Sequence, residues 1–239
     1  RTPPAPENQA VLPDIDSELP RLMDRWGVEM LPEKIAGDIN AAMHVQVRAQ
    51  RGSQEVAYLP WLRLADESFN RQDFATNELS VIHMGTAGIL VKKSDVKTSF
   101  TPLIETTKQS MQLDRDFLVI QRDPNVILDN FKSSETRQTL AVRLQGHATT
   151  AFPDGIPAEN TTAEGTGPEL DPEPVAAPMD TSGLVKDGDI NVIVVSDTDL
   201  LSDLFWIRTQ SYLGMDLPQP IADNGTFVIN ALENLAGSN

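Results

Sequence analysis

The sequence predicts an α/β domain, and three observations carry that expectation. The run Asn191–Val195 is rich in β-branched residues and ends at Ser196 and Asp197, with an amphipathic stretch from Leu200 to Leu213 behind it, the order of a strand feeding a helix. Earlier segments such as His44–Ala49 alternate polar and apolar residues with the period of a half-buried strand. The chain closes on a helical pattern that sets Phe227, Val228, Ala231, Leu232 and Leu235 on one face.

The elements follow in order. The opening RTPPAPENQAVLPD reads as extended, and Ser17 as the N-cap of a helix carrying Leu19, Leu22, Met23 and Trp26 at helical spacing, which Gly27 ends. His44–Ala49 is a strand, and Glu55–Leu64 is a second one broken at Pro60. Leu79–Met84 and Ala87–Val91 are strands, or one bent strand, around Gly85 and Gly88. Thr98–Thr106 follows the Lys92–Lys97 turn, and Leu140–Phe152 is a strand with Gly146 as a bulge. The last helix starts at Asp223 or Asn224. No repeat of fixed period is present.

Composition narrows the function. The chain has 239 residues, no cysteine and a formal net charge of -16. This length buries a real core without staples. Such a negative field repels phosphate backbones and anionic lipid, which excludes sequence-independent nucleic-acid binding. Without cysteine there are no thiol nucleophiles, disulfides or thiolate metal sites. The charge is uneven: residues 144–239 hold only Lys186 and Arg208 against 15 acids. Within them, Pro153–Gly183 carries six prolines, seven acids and no basic residue. It reads as a mobile linker, with an acidic docking tail as the alternative. The expected organisation is a main α/β region over 1–152, the acidic loop over 153–186, and a strand-helix-helix unit over 187–239 that completes the same domain. No run is long and apolar enough to cross a bilayer. The chain begins at Arg1 without a signal pattern and reads as part of something longer.

The candidate chemistry is thin. Asp197 and Asp199 lie just past the strand, where α/β folds expose strand ends to ligands, and could hold Mg²⁺ and attack a phosphoryl group. An aspartate-nucleophile enzyme usually has Thr or Val two residues further, where this chain has Leu201. The plainer account is that Ser196, Asp197 or Asp199 caps the following helix. Asp223-Asn224-Gly225 is a turn and cap, or else a polar cluster meeting an anionic or sugar ligand. Ser94 and Lys97 match a Ser-x-x-Lys spacing, but between two strands they belong to a solvated turn. Gly85-Thr86-Ala87-Gly88 lacks the lysine of a phosphate loop and reads as a tight turn. His44, His83 and His147 show no ligand spacing, and Trp26, Trp61 and Trp206 read as core or interface anchors. No metal and no cofactor is expected.

Six segments in order, MDRWGVEM, YLPWLRLADESFN, TPLIETT, LAVRLQGHATTAFPDG, VIVVSDTDLLSD and ADNGTFVINALENLAGS, resemble the auxiliary component of uncharacterised ABC transporters, the GldG-like family of gliding motility. The likeness covers Leu19–Ser238 except the acidic linker. It implies a flavodoxin-like three-layer domain with a largely parallel sheet, similar to class I glutamine amidotransferase modules, with the early strands missing. Those amidotransferases need a cysteine nucleophile that this chain lacks. It further implies a periplasmic domain at the bacterial inner membrane, anchored by flanking helices and working beside an ABC permease and its ATPase, with a homo-oligomer among the assemblies permitted. The function expected is thus a non-enzymatic scaffold acting through protein contacts. The alternatives are a module binding a small polar ligand or carbohydrate through Asp197, Asp199, Asp223 and Asn224, and a Mg²⁺-dependent phosphoryl hydrolase using Asp197 and Asp199.

Overall fold

The computed structural model describes residues 19–48, 52–153, 155, 183–212 and 215–237. The Ser17 cap and most of the acidic 153–186 stretch lie outside the described residues.

Eleven strands and five α-helices make up the described chain. In order they are α1 (Pro20–Trp26), β1 (Val28–Asp38), β2 (Ala42–Arg48), β3 (Ser53–Ala65), β4 (Val81–Gly85), β5 (Gly88–Lys92), β6 (Ser99–Glu105), β7 (Ser110–Asp114), α2 (Arg115–Ile120), α3 (Pro124–Asp129), β8 (Thr139–Thr149), β9 (Asp187–Val195), α4 (Asp203–Trp206), β10 (Ile207–Tyr212), β11 (Met215–Pro220) and α5 (Asn224–Leu235). The large sheet runs β6-β8-β5-β1-β7, with β9 also paired to β8. A second sheet runs β2-β3-β4, and β10-β11 form a hairpin.

The expected parallel, flavodoxin-like sheet is not what forms. Every strand pairing among the described residues is antiparallel. The physical reason lies in the connections. A parallel neighbour needs a crossover of a dozen or more residues, usually a helix. Among strands that follow one another and pair, β2 reaches β3 through 49–52, β3 reaches β4 through 66–80 with only a 3₁₀ turn between, and β10 reaches β11 through 213–214. The amphipathic stretch after β9 is no crossover helix either. It becomes a 3₁₀ turn (Asp199–Leu201), the four-residue α4 and the β10-β11 hairpin. Ile207, Thr209 and Tyr212 favour strand over helix, and Pro218 and Pro220 sit in β11, which pairs on one side only.

The two sheets enclose the main core. Leu62, Leu64, Ile82 and Met84 from β3 and β4 meet Ile89, Leu103, Ile104, Leu140 and Ala141 of the large sheet, and Phe227 of α5 closes the cluster. A second cluster lies below α1, where Met23 and Trp26 cover Val28, Leu90, Val142 and Leu144. A third joins Leu59, Leu113 and Ile127 beneath α2 and α3. Gly27 ends α1 in the left-handed region at φ 81°, as its position predicts. Proline 60 does not break β3, which runs through it from Ser53 to Ala65. Gly146 takes φ 118°, yet β8 and β9 stay in continuous register from Ala141↔Val195 to Thr149↔Asp187, so no bulge forms in that pairing.

Candidate functional site

The end of β9 is where the predicted site residues fall. Ser196 wedges between β8 and β5: its N–H donates to Leu140 O at 3.0 Å, its carbonyl accepts from Gly88 N at 3.0 Å, and its hydroxyl lies 2.8 Å from Gly88 O and 2.9 Å from Leu140 O. Asp197 follows directly. Its Oδ2 accepts from Gly85 N at 2.8 Å and its Oδ1 from Asp199 N, also at 2.8 Å. Burial pushes this carboxyl up to about 6, against the backbone donors of Gly85, Asp199 and Leu200 that favour its charge. Asp199 is exposed and opens the 3₁₀ turn.

A groove of about 470 Å³ opens beside this turn. Leu19 just before α1, Met23 and Trp26 of α1, Met30 and Leu90 of the large sheet, and Val194 of β9 form its apolar wall. Asp197, Thr198 and Asp199 form one rim, and Glu33, Lys34 and Arg115 the other. The second rim arises where β1 slips register against β5 between Met30 and Ile35, with Glu33 at φ 56°. Its charges are paired: Lys34 with Asp114, and Arg115 with Glu33 at 3.6 Å. A neighbouring hollow of about 510 Å³ on the other side of α1 shares Met23 and Met30 and carries the Asp24–Lys93 ion pair. Hydrogen bonding and the charge of Lys93 lower the Asp24 carboxyl, and Asp24 in turn raises the lysine.

Asp223 and Asn224 do not join the groove; like Asp197, they serve β4. This strand is the last of its sheet, so one edge lacks a neighbouring strand. Asp223 Oδ2 accepts from Ser80 N at 2.7 Å and Val81 N at 3.0 Å. The wholly buried Asn224 accepts from His83 N at 3.0 Å and donates to His83 O at 2.7 Å and Leu200 O at 2.8 Å. Asp197 takes Gly85 N. Three side chains distant in sequence thus stand in for a missing strand. Neither Asp223 nor Thr198, the residue before the 3₁₀ turn, makes a side-chain capping bond.

His83, which the sequence reads only as lacking ligand spacing, is a buried polar residue of β4. It is 5% exposed, its Nδ1 lies 2.6 Å from Phe205 O, and its Nε2 has no partner. Burial lowers its pKa, and the nearby Arg63 charge adds to that, against the bond to Phe205 O. Trp61, half-buried on β3, packs edge-on against both Tyr58 and Phe205. His147 lies 3.5 Å from Asp187 and 3.4 Å from Asp189 on the β8-β9 pair, and His44 is exposed on β2. Among the described residues no group of three or more His, Asp or Glu side chains could hold a metal ion. Ser94 and Lys97 are exposed in the β5-β6 turn.

The family model described as the ABC-type uncharacterized transport system, auxiliary component, matches residues 2–231. The chain belongs to that family. No curated protein and no solved structure gives a significant match. In this transport-system auxiliary component, no helix among the described residues is long and apolar enough to cross a membrane. Its large exposed apolar side chains include a set near the C-terminus: Leu201, Leu204, Met215, Leu217, Ile221, Ile229 and Leu232 are each more than 40% exposed. Every residue of β11 is exposed. Alternation could have revealed the long β1, where Met30, Leu31 and Glu33 shape the groove, but its proline and charges hide the strand pattern.

Proposed function

We propose that this chain is a non-enzymatic accessory domain of its transport system, held on the extracytoplasmic face of the bacterial inner membrane and acting by contact with the permease or an exported substrate, beside the system's ATPase. The observation that carries the reading is the exposed apolar surface of the β10-β11 hairpin and its surroundings. Large apolar side chains exposed throughout residues 201–232, along with the exposed acids Asp203 and Asp216, suit a protein interface. The Asp197 carboxylate is engaged by the backbone amides of Gly85 and Asp199, and that of Asp223 by those of Ser80 and Val81. The GldG-like, gliding-motility type remains the finer relationship we favour.

The hairpin offers a clean test. Ile221 N donates to Trp206 O at 2.8 Å, so the two ends of the hairpin already meet. Replacing 207–220 by a short turn in the full-length, membrane-anchored protein should leave the domain folded and abolish co-purification with permease and ATPase from mild detergent. Undiminished co-purification would remove this reading. The groove beside Asp197 favours a second reading, capture of a small ligand with a polar head and an apolar body. A thermal-shift panel of glycans and metabolites tests it, since a ligand at 100 times its dissociation constant adds about 2.7 kcal/mol.

A further inference from the structure

Strand edges in this molecule are treated unequally. The edge of β4 is covered by side chains from Asp197, Asp223 and Asn224. The edge of β6 is met by the Phe69↔Ile104 bridge and by Asn70, whose N–H donates to Leu103 O at 3.0 Å. On β2, His44, Gln46 and Arg48 put polar side chains at every second position. β9 has polar side chains at alternate positions only in its first half, Asp187, Asp189 and Asn191, and none from Val192 to Val195. It pairs with β8 on one side, and among the described residues no strand pairs with the other.

The hydrogen-bond phase says which backbone groups face outward. Ser196 N bonds Leu140 O and Thr150 N bonds Lys186 O, so the even-numbered residues of β9 face β8. The N–H and C=O groups of Asp189, Asn191 and Ile193 therefore point to the open side. The strand is apolar from Val192 to Val195, contains neither lysine nor proline, and has no fully buried residue. An edge of this kind is a template for another strand.

We infer that the outer edge of β9 receives an extended segment of a partner protein by strand addition, and that this segment carries apolar residues at its centre and basic residues at its ends. The inference rests on the scaffold reading for the protein nature of the partner. Charge chooses the occupant. Asp187 and Asp189 lie at one end of β9, and Asp197 and Asp199 just past the other. A second copy fits poorly. β9 has no basic side chain to offer those aspartates, and each chain carries a formal charge of -16. A segment with lysine or arginine at its ends meets the exposed Asp187, Asp189 and Asp199 instead, while its backbone pairs with residues 189–193.

The probe is a synthetic peptide of three Val-Thr repeats flanked by two lysines at each end, titrated against the whole chain by fluorescence anisotropy. Saturable binding is expected, with slowed amide exchange at Asp189, Asn191 and Ile193. Methylating the valine amides of the peptide should weaken binding at least tenfold. Asp189→Pro should weaken it at least tenfold relative to Asp189→Asn, because both remove the charge and only proline removes the outward N–H. Equal affinity of the methylated peptide, protection at other residues, or no saturation would overturn the inference. The peptide measurements need no permease. If hairpin excision leaves co-purification intact while the peptide still binds β9, the scaffold reading fails and strand addition stands; the reverse pattern sinks strand addition alone.

Discussion

Asn224 shows how one residue can hold two distant parts of a chain together. Replacing it with Ala leaves His83 N–H, His83 O and Leu200 O buried without their partner, which should cost about 3 kcal/mol. Urea denaturation of the variant measures that loss. Two titrating residues act in opposite senses. The folded-state pKa of His83 is depressed below 6.5, so its contribution is present above that pH and is lost on acidification. Asp197 is raised from 3.8 to about 6, so its contribution is full below pH 3.8 and is lost as pH rises through 6. Asp197→Asn should therefore gain stability relative to wild type as pH rises from 4 to 7, measured by denaturant midpoints across that range. A flat difference would mean that the carboxyl titrates alike in the folded and unfolded chain. Asp197, Asn224 and Asp223 were legible as special positions because polar residues after an apolar run attract attention. Their task was not, since their partners lie up to 143 residues away.

At the scale of elements, α5 was legible in full and its burial only in half. The start near Asp223 and the inward placement of Phe227, Val228 and Ala231 follow from helical spacing. Leu232 is nonetheless 62% exposed, because the helix lies against β4, β9 and the 3₁₀ turn with a narrower face than its apolar residues span. Phe227→Ala should lower stability by about 3–5 kcal/mol, while Leu232→Lys should change it by less than about 0.5 kcal/mol. Paired thermal melts distinguish them, and a large loss for Leu232→Lys would mean that the chain already covers that face. Strands with clear alternation, such as β2, were also legible. Leu200–Leu213 was not: its apolar spacing suits a helix, but its residues fold into a short turn and one arm of a hairpin. Local period cannot register that Met215–Pro220 competes for the same backbone groups.

For the whole molecule, charge is the term that sequence alone reports best. A formal charge of -16 makes the compact state repel itself, and only scattered pairs relieve it. Among these, the nearly buried Arg143–Asp73 pair is bidentate, at 2.6 and 2.8 Å. Burial opposes the charged form of Asp73, but the Arg143 and Ala75 hydrogen bonds and the charge of Arg143 hold its carboxyl below the ordinary range. Raising NaCl from 0.05 to about 0.5 M should therefore raise the melting midpoint by screening net repulsion. A fall would show that the ion pairs outweigh it. Sheet direction, by contrast, is a property of connections across the entire chain, and the parallel expectation came from family likeness rather than from any strand.

The staples on β4 also set an order of events during synthesis. His83 leaves the ribosome 141 residues ahead of the asparagine that pairs with it. At about 5–20 residues per second, that strand waits on the order of ten seconds with its backbone edge open. The nascent chain must pass this interval without a stray strand adding to that edge, and a product ending before Asp223 would never close it.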